Sequence, residues 1–133
     1  MTVKNFEDLA IYQKSCDIVD IVYELTDKEP WKSDYRFVQQ IHAAAGSVSD
    51  NIAEGFERQG NKEFIYFLYI AKGSCGEVRS QISRAYRVGF ISKEFYEPLY
   101  ADCKKLSASI LHFIDSLKAS TISGSRYKTP QTL

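Results

Sequence analysis

Residues 47–58 read SVSDNIAEGFER, and they close a helix made almost entirely of small side chains: Ala43, Ala44, Ala45, Gly46 and Ser47. Small residues let a second backbone come close. Asn51 and Glu54 follow Ser47 at i+4 and i+7, so the three polar groups line one side of the helix. Polar groups beside a tight contact need partners. The stretch therefore reads as a polar-decorated helix contact and not as a reaction centre. Gly55 suits the left-handed C′ position that ends many helices, which places this helix over residues 34–54.

Outward from that stretch the pattern stays helical. Phe37, Ile41, Ala44 or Ala45, Val48 and Ile52 form its core stripe. Upstream, a helix is expected over residues 6–26, with Asn5 as cap and Asp8 three positions on. It carries two apolar stripes, one of Leu9, Tyr12, Cys16, Val19 and Tyr23, the other of Ile11, Ile18, Val22 and Leu25. One stripe suffices for a bundle helix, so the second points to a neighbouring subunit. The loop 27–33 holds Pro30 and the sole tryptophan, Trp31, expected to close one bundle end.

Downstream, Asn61 can cap a third helix over 62–88, with Phe64, Phe67 or Leu68, Ala71, Cys75, Val78, Ile82 and Ala85 as its stripe. Gly73 and Gly76 each cost about 1 kcal/mol against alanine in a helix. They are expected where this backbone crosses the small-residue run. Gly89 ends the helix. Ser92 caps a fourth, running to about residue 117 on Leu99, Cys103, Leu106, Ile110, Phe113 or Ile114, and Leu117. Pro98 should kink it or delay its start. Residues 119–133 are polar and aperiodic, and read as a flexible tail beyond a bundle domain at 1–118. Helices about 30–40 Å long joined by short loops predict an all-α, antiparallel up-down-up-down four-helix bundle.

The chain has 133 residues, enough for one domain with its own core. Lys plus Arg and Asp plus Glu number 17 each, so net charge is zero, whereas nucleic-acid binders usually carry a basic excess. Cys16, Cys75 and Cys103 form no C-x-x-C pair and read as small buried hydrophobes in a reducing compartment. No apolar run follows Met1 and no segment reaches the ~18 apolar residues of a membrane span. A cytoplasmic protein without a membrane partner is expected.

Catalytic chemistry finds little support. A dinuclear metal site in a bundle needs Glu-x-x-His on two helices, but Gln39 and Ser109 stand three residues before His42 and His112. Residues 73–76, Gly-Ser-Cys-Gly, fall inside a helix whose amides are already bonded. No catalytic residue, cofactor or metal is expected. An acid–base pair of Glu54 and Glu77 would need both in one open cleft. The polar ridge Ser47, Asn51 and Glu54 and a second ridge, Ser74, Glu77 and Gln81, can interlock as a register-fixing network or serve a ligand or partner. Arg58, Lys62, Arg79, Arg84 and Arg87 are the candidate nucleic-acid contacts, and a ring of copies would cluster them.

Phe6-Glu7-Asp8-Leu9 with Tyr12-Gln13-Lys14 resembles the opening of the proteins encoded in 23S ribosomal RNA intervening sequences. Gln40-Ile41, Ala44 and the run from Asn51 through Phe56 to Arg58 resemble that family's central motif. Lys62-Glu63-Phe64, Phe67-Leu68, the run 70–74 and Glu77 resemble its third helix. The resemblance spans about residues 6–117. It implies a four-helix bundle assembled as a homopentamer, with no known enzyme activity. Relatives include accessory proteins of diversity-generating retroelements, which implies an alternative role as a nucleic-acid or ribonucleoprotein-binding accessory factor. Where the family carries basic residues after Gln-Ile, this chain has His42 and Ala43. That departure favours a non-enzymatic, homo-oligomeric scaffold.

Overall fold

The chain opens with a 3-10 turn, Phe6–Asp8, and an extended Leu9 before the first α-helix begins at Ala10. The structure is a computed structural model and describes residues 3–122. The expected helix start at residue 6 is corrected, and Asn5 makes no side-chain capping bond. Extending Leu9 turns its side chain into the core and lets Phe6 pack edge-on against Tyr12 and Phe56. Burying Leu9 and partly burying Phe6 outweighs one more helical turn.

The four helices are α1 (Ala10–Thr26), α2 (Tyr35–Glu57), α3 (Asn61–Arg87) and α4 (Lys93–Ile122). Contacts between them fix their directions. Ser47 meets Ser74 while Phe37 meets Arg84, so α2 and α3 run antiparallel. Asn61 donates to the Leu117 carbonyl and Ser83 meets Tyr96, so α3 and α4 do too. Thr26 meets His42 at the end of α1 remote from the Phe6–Phe56 contact, completing the up-down-up-down order. Helix α3 packs most extensively, against α2 and α4, and the seam between α1 and α4 is the thinnest. The core runs along all four helices, from Ile11, Ile18 and Val22 through Ile41, Ile52, Phe64, Leu68 and Ile82 to Leu106, Ile110 and Phe113.

The two stripes of α1 separate as two environments. Ile11, Ile18, Val22 and Leu25 are buried in the core. Tyr12, Cys16 and Val19 are half-buried and Tyr23 is exposed. Phe6 packs on Tyr12 and His42 stacks on Tyr23, so the second stripe is partly covered within the chain. It does not demand a neighbouring subunit.

The glycines exchange roles relative to expectation. Helix α2 continues through Gly55 to Glu57. A Cβ at Gly55 would lie 2.7 Å from Phe67 Cβ and 2.9 Å from Phe64 Cδ1, so this glycine sits at a close approach of α2 and α3. At Gly73 and Gly76 a Cβ would meet nothing within 4 Å, so the expected crossing there is corrected. Gly89, at φ 84°, does end α3. Phe90 N–H reaches Ala85 O at 2.8 Å and Gly89 N–H reaches Tyr86 O at 3.1 Å, the paired bonds of a Schellman motif. Asn61 is the first residue of α3 and not its cap, which is Gly60. Helix α4 starts at Lys93 and runs on through Pro98 to Ile122, four residues past the expected bundle boundary. The rest of the segment read as a tail, 123–133, lies outside the described residues.

Candidate functional site

The two polar ridges touch at one point. Ser47 Oγ and Ser74 Oγ lie 2.8 Å apart, half-buried between α2 and α3. Asn51 Nδ2 donates to Ser47 Oγ at 2.9 Å and to the Ser47 carbonyl at 2.7 Å. The other three residues of the expected six stand apart, because the helices are antiparallel. Moving forward from Ser47 along α2 moves backward from Ser74 along α3, so the ridges diverge from their contact. Glu54 lies beside Arg58, whose Nε donates to it at 2.9 Å in solvent. Glu77 is exposed beyond the opposite side of the contact. The two glutamates therefore sit roughly ten residues apart in register, about 15 Å along the helix axis. They share no cleft, and the acid–base pair is excluded.

Past Ser47 in the other direction, the ridges open into a surface groove of about 590 Å³. Its walls are Gln40, Ala43 and Ser47 of α2 and Glu77, Gln81 and Arg84 of α3, with Ala44 and Ser80 completing the lining. Gln81 is only 6% exposed, and its Oε1 is buried with no hydrogen-bond partner among the described residues. Leaving such an acceptor unsatisfied costs about 1–3 kcal/mol. No signal in the sequence marks Gln81 as different from Glu77, since both lie on one ridge. Burial separates them.

The candidate cations divide between the two ends of the bundle. Arg58 and Lys62 flank the α2–α3 loop, and Arg84 and Arg87 lie on the last turn of α3. From Lys62 to Arg84 is about 33 Å along the helix. Three of the five are engaged within the chain. Arg58 pairs with Glu54 and Glu63, which raises its pKa, the Glu54 hydrogen bond being the largest cause. Arg79 lies over the Tyr100 ring and Arg84 over Phe37, 4.3 Å from its centroid. One chain thus presents no single basic patch built from these five.

His42 stands where α1 and α2 meet. Its ring stacks on Tyr23 at 3.8 Å, and its Nε2 lies 2.8 Å from Thr26 Oγ1. The Thr26 hydroxyl donates to Val22 O, so its oxygen accepts from His42 Nε2–H. Burial lowers the His42 pKa below its ordinary 6.5. The fold therefore favours neutral imidazole, while the unfolded chain takes up a proton near pH 6.5. This contribution to stability is complete above pH 6.5 and is lost as pH falls below it. Thermal melts from pH 8 to pH 5 should show that loss in the native protein and a smaller one in His42→Gln. Equal pH dependence in both would remove His42 as the cause.

Cys75 Sγ donates to the Cys103 carbonyl at 3.3 Å, and both side chains are buried in the α3–α4 interface. The Cys75 side chain beside it, and then burial, push the Cys103 thiol well above its usual range. Among the described residues, no three His, Cys, Asp or Glu side chains gather as a metal site. Also among them, no helix is long and apolar enough to cross a membrane.

Comparison with known proteins agrees with this geometry. A crystal structure of a protein of unknown function from the S23 ribosomal protein family of Bacteroides thetaiotaomicron superposes with a TM-score of 0.72. The match is 22% identical and covers 79% of this chain and 98% of the other, so the likeness is one of fold. No functionally curated protein matches the chain. The family model described as 23S rRNA-intervening sequence protein matches residues 7–112. A match over that much of a four-helix bundle assigns the chain, which belongs to the 23S rRNA-intervening sequence protein family.

Proposed function

We propose that this protein is a non-enzymatic scaffold that acts as a homo-oligomer of four-helix bundles, with five copies as the stoichiometry that the family resemblance implies. One observation carries the reading. The outward face of α3 holds Tyr66, 62% exposed, with Tyr69 and Ile70 also exposed and Gly73 following them. An aromatic row ending in a residue without a side chain gives an apposed helix both apolar area and close access. The spread of the candidate cations over both ends of the bundle favours this reading over the alternative, a nucleic-acid or ribonucleoprotein accessory factor.

Light scattering coupled to size exclusion tests it. At micromolar concentration the protein should elute at a multiple of its 15.2 kDa chain mass, five-fold for a pentamer. A monomer at every concentration up to 100-fold higher overturns the proposal.

A further inference from the structure

The α2/α3 groove has a counterpart on the opposite face of the bundle. Helix α1 packs on α2 and α4, and α3 packs on the same two, so the α1/α4 edge lies across from the α2/α3 groove. That edge holds a hollow of about 170 Å³ lined by Lys14, Asp17, Ile18, Asp102, Lys105 and Leu106. Its four charged residues are exposed, and among the described residues none of them forms an ion pair. The groove offers the matching set. Glu77 and Arg84 are exposed, and among the described residues neither forms an ion pair. Ala43 and Ser47 keep the groove open on the α2 side.

We propose that the α2/α3 groove is the socket for the α1/α4 edge of a second copy of this chain. In this contact the Lys105 ammonium of the neighbouring copy pairs with Glu77. The carboxylates of Asp17 and Asp102 face Arg84. An ammonium carries three donors and no acceptor, which suits an exposed carboxylate. The two surfaces differ and lie on opposite faces, so the contact is head-to-tail. Such contacts repeat from copy to copy and close into a ring when the rotation per step divides a full turn. The inference rests on the homo-oligomeric reading and extends its contact along α3, from the Tyr66–Gly73 row to Glu77 and Arg84.

The test is a charge exchange read by solution mass across a dilution series. Glu77→Lys and Lys105→Glu should each weaken assembly about tenfold or more at low salt, because like charges then face each other. The double variant should recover most of the loss, since the pair is restored with reversed sign. Both positions are exposed, and circular dichroism checks that each variant is folded. Gln81→Leu should raise the melting temperature of the dissociated subunit, by removing the unsatisfied acceptor. If the native protein assembles and both single exchanges assemble equally well, the socket is overturned while the oligomeric reading stands. If Glu77→Lys weakens assembly but Lys105→Glu does not, the groove has another occupant and the proposal is again overturned. A native protein that stays monomeric overturns both.

Discussion

Trp31→Ala should lower the unfolding free energy by about 3–5 kcal/mol. The indole is fully buried although it lies in a short 3-10 turn, Trp31–Ser33, between α1 and α2. It packs against Phe37 of α2 at 5.0 Å and Phe90 of the α3–α4 connection at 6.0 Å, and those two rings lie 5.9 Å from each other. The three rings form a plug across one bundle end, with the Arg84 guanidinium over the outer face of Phe37. Truncation removes the largest side chain of the plug. The void that remains is walled by rings belonging to separate elements, which limits its collapse. A domain of this size holds about 5–15 kcal/mol in all, so the variant should be marginal at body temperature. Trp31→Phe should lose much less. The indole Nε1 has no hydrogen-bond partner among the described residues, so no bond is given up with it. Urea unfolding at fixed protein concentration, followed by circular dichroism because the only tryptophan is removed, measures both variants. A loss below about 1 kcal/mol in Trp31→Ala would contradict the plug, given the range that buried aromatic truncations show.

Gly55→Ala should destabilise the protein by about 2 kcal/mol, within the range for overpacked cores. Helix propensity alone gives the opposite sign, since alanine is better than glycine by about 1 kcal/mol in a helix. The contact decides. The new methyl would stand 2.7 Å from Phe67 Cβ and 2.9 Å from the ring of Phe64. Phe67 Cβ is fixed to its own backbone and cannot rotate away, and Phe64 is held in the core between Phe56 and Phe113. Relief therefore requires α2 and α3 to move apart, which loosens packing along the most extensive interface in the fold. Gly76→Ala supplies the control. Nothing lies within 4 Å of its added Cβ, so propensity acts alone and the variant should gain about 0.5–1 kcal/mol. Two identical substitutions on adjacent helices should thus shift the urea midpoint in opposite directions. A shift of the same sign in both would refute the close approach at Gly55.

The contrast between those two glycines marks how far the sequence could be read. Periodicity located all four helices, because a side chain's own neighbours at i+3 and i+4 set its face. Trp31 was legible as a lid, since a lone aromatic in a charged loop has only the bundle end to cover it. Gly89 was legible as a stop, since its left-handed backbone is a local property. Gly55 looked equally like a stop. Only the presence of Phe64 and Phe67 across the interface gives it a different purpose, and no local pattern announces that. The second stripe of α1 likewise looked unpartnered until Phe6 and His42 were found against it.

The polar ridges show the same boundary at the candidate site. Spacing within each helix placed Ser47, Asn51 and Glu54 on one line and Ser74, Glu77 and Gln81 on another. Antiparallel packing then joined the two lines at Ser47 and Ser74, sent Glu54 and Glu77 in opposite directions and buried the Gln81 carboxamide. By itself, the sequence determined the helices, their faces and the family, because each of these is written in short-range spacing and motif. The tertiary structure decided which glycine is a contact, which glutamine is buried and which surfaces remain open. Those depend on the register between helices, which is set by residues distant in the chain that meet only when the core closes.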